Sequence, residues 1–223
     1  MTPALLRIGE GRHPVVVVDD FCGNVETVVA LAAALAPFPP SGGNAYPGLR
    51  RIITEEDAGA YACAEIALRK AAPFIGGAFG VERFDWIEAS FSIVTTEPSR
   101  LSEEQRAPHF DSIDPGYIAI LHYLSDTPGT AFYRQRATGI EQVDAANRAA
   151  FIASARASAA EAAGYIHGSD AAYEQIGAVE GRRDRLLIYR GSLLHSGIIP
   201  PGLDLSPDPH HGRLTTNLFI RGY

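Results

Sequence analysis

The hydrophobic pattern opens on Val15-Val16-Val17-Val18, four β-branched residues with no polar alternation, which predicts a strand covered on both faces. Asp19-Asp20-Phe21 closes it. Asn24 then caps a predicted helix whose apolar positions Val25, Val28, Val29, Ala32 and Leu35 follow helical spacing, and Pro37 stops it. Residues 37–48 are rich in Pro and Gly and read as loop. A second helix starts among Glu55, Glu56 and Asp57 and ends at Arg69-Lys70 ahead of Pro73, acids first and bases last as the helix dipole favours. Gly76-Gly77-Ala78-Phe79-Gly80 lacks the Gly-Lys-Ser/Thr of a phosphate loop and reads as a flexible turn.

From Phe84 the texture is that of strands. Residues 86–95 form a β-rich segment ended by Glu97-Pro98, and a polar loop carries the chain to His109. Residues 117–124 predict another strand, broken at Asp126-Thr127-Pro128-Gly129, and 130–134 a third. Residues 141–163 are Ala-rich and predict helix, stopped by Gly164, with 172–176 as a further short helical turn. This stretch has too few large apolar residues for a core of its own, so 135–182 reads as a mostly helical insertion packed on the sheet. Strands resume at 185–190, continue through His195 to Ile199, and end with 213–220 after a Pro-rich loop. Short strands between turn residues suggest a sandwich, jelly roll or barrel.

A chain of 223 residues with 46% hydrophobic content fits a single domain, 1–223, with a real core. A net charge of −7 and the absence of a basic run argue against a nucleic-acid partner. The two cysteines, Cys22 and Cys63, are too few for a disulfide framework or a Cys-rich zinc site and read as reduced. No targeting segment or membrane span is visible, so a soluble, cytoplasmic protein is expected.

The candidate chemistry lies in the β-rich half. In an extended segment His109 and Asp111 share a face, because strand side chains repeat every second residue. Alone this pair is a weak signal. His195, from a strand far along the chain, would complete a two-histidine, one-carboxylate set, the type that holds iron(II) by one face and leaves other positions open. Arg213, at the start of the terminal strand, could grip a carboxylate through two parallel hydrogen bonds, and Thr215 faces the same way. Tyr117 and Tyr133 are candidate pocket donors, against plain aromatic packing. His122, in an apolar strand, reads as a core histidine and as the substitute ligand should His109 not serve. His210-His211 are neighbours that point oppositely on a strand, and no hydrolase or kinase motif is present.

In this order the segments resemble the iron(II)- and 2-oxoglutarate-dependent oxygenases, in particular the prolyl 4-hydroxylase-like branch. His109-x-Asp111 looks like the proximal iron pair, and Ile120-Leu121-His122-Tyr123-Leu124-Ser125 followed by Gly129-Thr130-Ala131-Phe132 is similar to the family's strand, turn and glycine-threonine step. Arg185-Leu186-Leu187-Ile188-Tyr189 through Leu194-His195 looks like its distal-histidine strand pair, and Gly212-Arg213-Leu214-Thr215 like its 2-oxoglutarate-binding end. The stretch from His195 to Arg213 is longer than usual there. The resemblance implies an α+β fold with a double-stranded β-helix (jelly-roll) core built from 84–134 and 185–221, a supporting N-terminal strand and helices in 1–80, and the helical insertion. It further implies iron(II) on His109, Asp111 and His195, and 2-oxoglutarate as cosubstrate on Arg213, Thr215, Tyr117 and Tyr133. O2 would be consumed, with hydroxylation of a small molecule or a peptide side chain and release of succinate and CO2. Two other classes remain open: a cupin-like metalloenzyme that ignores 2-oxoglutarate, and a non-catalytic jelly-roll binding module.

Overall fold

The valine run is the inner strand of an N-terminal hairpin: all four of its residues are buried. A computed structural model describes residues 1–42, 46–158 and 164–223 of the chain. In order, the elements are β1 (Thr2–Ile8), β2 (His13–Asp19), α1 (Val25–Ala34), β3 (Gly48–Ile52), α2 (Ala58–Phe79), β4 (Phe84–Val94), α3 (Glu103–Arg106), β5 (Tyr117–Tyr123), β6 (Thr127–Gln135), α4 (Arg148–Ser158), β7 (Tyr173–Gly181), β8 (Leu186–Arg190), β9 (His195–Gly197) and β10 (Leu214–Gly222). They form a seven-stranded sheet, β1-β2-β8-β5-β10-β4-β3, facing a three-stranded sheet, β7-β6-β9. All the strand pairs are antiparallel. This is the expected α+β jelly-roll class.

Strand alternation divides the large sheet cleanly into two faces. Val16, Val18, Ile118, Ile120, Leu186, Ile188, Leu218 and Phe91 pack outward against α1 and α2. Val15, Val17, Ala119, Tyr123, Leu187, Tyr189 and Phe219 point inward and meet Phe132 and Val179 of the small sheet. Close to the β3 edge the inward residues become polar, with Arg50 opposite Ser92 and Ser92 opposite Thr215 in register. An apolar interior that turns polar at one end is where a ligand pocket can form.

Three expectations from the sequence need correction. The second helix does not end at Lys70 but runs through Pro73 to Phe79, and Gly80 caps it in the left-handed region at φ +66. A proline inside a helix costs about 3 kcal/mol. Burying Leu68, Ile75 and Phe79 on the sheet returns about 1.5–3 kcal/mol each, so tertiary packing outweighs the local signal. The insertion, 135–182, is also less helical than predicted: the helix spans Arg148–Ser158, while Tyr173–Gly181 is a strand that pairs with β6 rather than a turn of helix. Its ladder satisfies backbone groups that the β6 edge would otherwise leave open. The predicted continuation of that helix over 159–163, and positions 43–45 of the first loop, lie outside the described residues. β1 and β3, both sheet edges, had no sequence signal. Among the described residues, no helix is long and apolar enough to cross a membrane.

Candidate metal centre

His109 is not part of a regular strand, as its sequence pattern had suggested, but it is held like one. It forms an isolated antiparallel bridge with His195, each backbone N–H donating to the other's carbonyl at 2.9 Å. Residues directly opposite in such a bridge present their side chains to the same face, and the two imidazole centroids lie 4.3 Å apart. The Asp111 N–H donates to the Gly191 carbonyl at 2.6 Å, which turns its carboxylate toward the two rings. Gly191 is required there, since a Cβ would stand 3.1 Å from Asp111 Oδ2 and 2.6 Å from the Tyr117 ring.

Asp111 Oδ1 is 3.8 Å from His109 Nε2, and Oδ2 is 3.7 Å from His195 Nε2. These separations are too long for hydrogen bonds. Two metal–ligand bonds of about 2.1 Å span up to about 4.2 Å, so each pair can share one cation. His195 Nδ1 lies 2.8 Å from the Leu193 carbonyl, which can only accept, so Nδ1 carries the proton and Nε2 presents its lone pair to the site. Burial pushes the His195 imidazole down to about 4. Burial and the neighbouring His195 lower His109 as well, though its ring is the more open of the two, at 39% exposure. Burial raises the Asp111 carboxyl to about 6, against the opposing pull of His109 and Arg50. Two neutral imidazoles and a carboxylate that is costly to charge without a cation fit a divalent metal of the iron(II) type.

The three ligand atoms border a pocket of about 90 Å³ lined also by Arg50, Thr130, Tyr189, Arg213, Thr215 and Asn217. Arg213 is 6% exposed and donates Nη2 to the Gly129 carbonyl at 3.0 Å, while its buried Nε has no hydrogen-bond partner among the described residues. Gly197, whose Cβ would lie 3.2 Å from Nη2, leaves the guanidinium its space. Thr130 Oγ1 is 2.6 Å from Tyr123 Oη, and Thr215 Oγ1 donates to Asn217 Oδ1 at 3.2 Å. A buried cationic fork with an unused donor, beside hydroxyl groups, is equipped to bind a carboxylate. A larger cavity of about 370 Å³ lies beyond α3, walled by Phe110, Phe151, Ile152, Ala155 and Tyr173, and it shares His109 with the first.

The structure thus brings His109, Asp111, His195, Arg213 and Thr215 together. Tyr117 stands beside them, its ring against Phe219 at 5.5 Å, without bordering the pocket. Tyr133 does not reach it: alternation along β6 sends Thr130 and Phe132 inward and Tyr133 outward, into a cluster with Val143, Phe151 and Leu194. Arg50, Tyr46, Tyr165, Tyr189 and Asn217 border the pocket without having been singled out. The only hint was a polar residue, Asn217, in the apolar terminal strand.

Among the described residues, a second group, Cys22, His122 and Asp184, also places ligand-type atoms within 4.8 Å of one another. Its geometry is that of a structural clasp. Asp184 accepts from His122 Nε2 at 2.8 Å and from the Cys22 and Gly23 N–H groups at 2.9 and 2.8 Å. Burial and the Asp184 charge push the Cys22 thiol up to about 12, away from the thiolate a metal requires. His122 is the core histidine its apolar strand predicted, and His211 pairs instead with Asp208 at 2.8 Å on the surface.

Comparison with solved structures gives relatives in fold. The epimerase SnoN, in complex with Fe3+, alpha ketoglutarate and nogalamycin RO, superposes with a TM-score of 0.56 at 13% identity, over 95% of this chain and 80% of that one. HygX from Streptomyces hygroscopicus, with nickel and 2-oxoglutarate bound, gives 0.53 at 15% identity over 93% and 82%. AviO1 from Streptomyces viridochromogenes Tue57 gives 0.51 at 15% identity over 89% and 84%. At such identities the likeness is one of fold. No curated protein matches the chain. A family model described as a family of unknown function, DUF6445, does match, over residues 1–220, and the chain belongs to that family.

Proposed function

We propose that the protein is an iron(II)- and 2-oxoglutarate-dependent oxygenase that hydroxylates a small molecule. The observation that carries this reading is the convergence of His109, Asp111 and His195 on one pocket whose wall holds Arg213, with an Nε that has no partner among the described residues. In this reading the three side chains hold the metal by one face, and the backbone bridge between the histidines fixes their spacing. Arg213 and Thr130, which line the same pocket, would hold the distal carboxylate of 2-oxoglutarate. Metal and cosubstrate, when bound, supply the oxidation in which an acceptor C–H, O2 and 2-oxoglutarate become C–OH, succinate and CO2. The protein's residues bind, orient and keep bulk water from the reacting face.

The acceptor reading is supported by the second cavity, whose mainly apolar walls, with charged Glu103, Glu104, Arg106, Arg156 and Asp170 among them, and volume of about 370 Å³ suit a small molecule better than an extended peptide. HygX has been crystallised with hygromycin B and SnoN with nogalamycin RO, both small molecules.

The test is succinate release from iron-loaded protein under air. Wild type should release succinate from 2-oxoglutarate, uncoupled turnover included. His109→Ala and Asp111→Ala should abolish it. Full activity in both variants would refute the assignment.

A further inference from the structure

Arg50 stands on the edge strand β3, yet its side chain is only 18% exposed and borders the same pocket as the metal-binding set. A polar row holds it there. Arg50 Nε donates to Ser92 Oγ at 3.3 Å, Asn217 Nδ2 donates to the same oxygen at 2.8 Å, and Thr215 Oγ1 donates to Asn217 Oδ1. Arg50, Ser92 and Thr215 are cross-strand partners, so the row runs along the inner face of the large sheet from its edge to β10, the strand that Arg213 directly precedes. The guanidinium also lies 5.0 Å from the Tyr46 ring centroid and 5.9 Å from that of Phe219. A long cationic side chain loses much rotamer freedom when fixed this way, which an exposed edge position does not require.

The two arginines serve different ends of the pocket. The Arg50 guanidinium lies over the Phe219 ring, which packs on Tyr117 at 5.5 Å, and Tyr117 and Asp111 Oδ2 together flank Gly191, whereas Arg213 Nη2 is tied to the Gly129 carbonyl of β6. Glu88 Oε1, 3.6 Å away on a side chain that is 32% exposed, is a loose partner for Arg50. With a divalent metal in place, the metal and two guanidinium groups would outweigh the carboxylates of Asp111 and Glu88 together, a surplus of positive charge that calls for a dianion.

We infer that Arg50 is a second carboxylate anchor, engaging the 2-oxo acid end of the cosubstrate while Arg213 engages the distal end. This rests on the 2-oxoglutarate reading above. Arg50 is therefore a binding residue for the diacid, and the Ser92–Asn217–Thr215 row positions it.

The test uses nickel-loaded full-length protein and calorimetric titration with 2-oxoglutarate. Arg50→Gln should raise the Kd about tenfold or more, the loss expected for a charge-assisted hydrogen bond. Arg50→Lys, which keeps the charge and loses the fork, should fall between, and both variants should still bind nickel at least as tightly as wild type. Glu88→Gln, which removes the competing carboxylate, should bind 2-oxoglutarate at least as tightly as wild type. A Kd for Arg50→Gln within twofold of wild type overturns the inference, and so does a Glu88→Gln variant that reproduces the loss, because the arginine would then act through that ion pair. If wild-type protein shows no nickel-dependent binding of 2-oxoglutarate, the underlying reading fails and the anchor falls with it; intact wild-type binding with an unaffected Arg50→Gln sinks the anchor alone.

Discussion

His109 and His195 exchange both backbone hydrogen bonds, at 2.9 Å each, across a bridge that belongs to neither a long strand nor a helix. That single rung fixes two imidazoles 4.3 Å apart on one face and joins the loop before β5 to the start of β9. The candidate metal centre is thus built on backbone pairing, and its spacing does not depend on side-chain packing alone.

Removal of one ligand should therefore leave the fold in place. His195→Ala keeps both backbone bonds of the rung, so its circular dichroism should match wild type while its affinity for iron(II) or nickel falls at least about 100-fold. Metal analysis after dialysis checks this, and full metal retention would show that the ion sits elsewhere.

Arg213→Gln removes the fork whose buried Nε has no partner among the described residues. Binding of 2-oxoglutarate to nickel-loaded protein should weaken about 10- to 100-fold, with metal affinity unchanged. Undiminished binding would favour a cupin-like metalloenzyme in which Arg213 has no ligand role.

Gly191→Ala tests the carboxylate's seat. The added Cβ would meet Asp111 Oδ2 at 3.1 Å and the Tyr117 ring at 2.6 Å. Asp111 must then rotate away, and metal affinity should drop about 10- to 100-fold, as when a supporting neighbour of a ligand is lost. Equilibrium dialysis with nickel measures it; an unaltered affinity would mean that Tyr117 yields instead.

Asp184 should govern acid stability. Burial raises its carboxyl pKa, but bonds from His122, the Cys22 thiol, and the Cys22 and Gly23 N–H groups outweigh this and hold it far below the usual range. A depressed folded pKa contributes stability that is complete above the unfolded value, about 3.9, and is lost as pH falls from there through the folded value. Asp184→Asn should cost about 1–3 kcal/mol at pH 7 and narrow the gap to wild type below about pH 4. Urea titrations at both pH values would show this, and an equal gap at each would exclude the linkage.

Part of this protein is written locally, and that part the chain alone conveys. The period of two places His109 with Asp111, the unbroken Val15–Val18 run marks a strand buried on both faces, and the order of β-rich segments indicates a jelly roll. Such features depend on neighbours one to four residues apart. What tertiary structure alone decided depends on residues far apart in sequence. Pro73 stays within α2 because Leu68, Ile75 and Phe79 have a sheet to cover, and Tyr173–Gly181 is a strand because the β6 edge lies beside it. Tyr133 faces away because alternation along β6 assigns the inner face to Thr130 and Phe132. Arg50, an unremarked charge after a loop, reaches the pocket through register with Ser92 and Thr215 on strands brought alongside only by folding. Local periodicity fixes which face a side chain takes; what it meets there is set by long-range pairing, which no local pattern encodes.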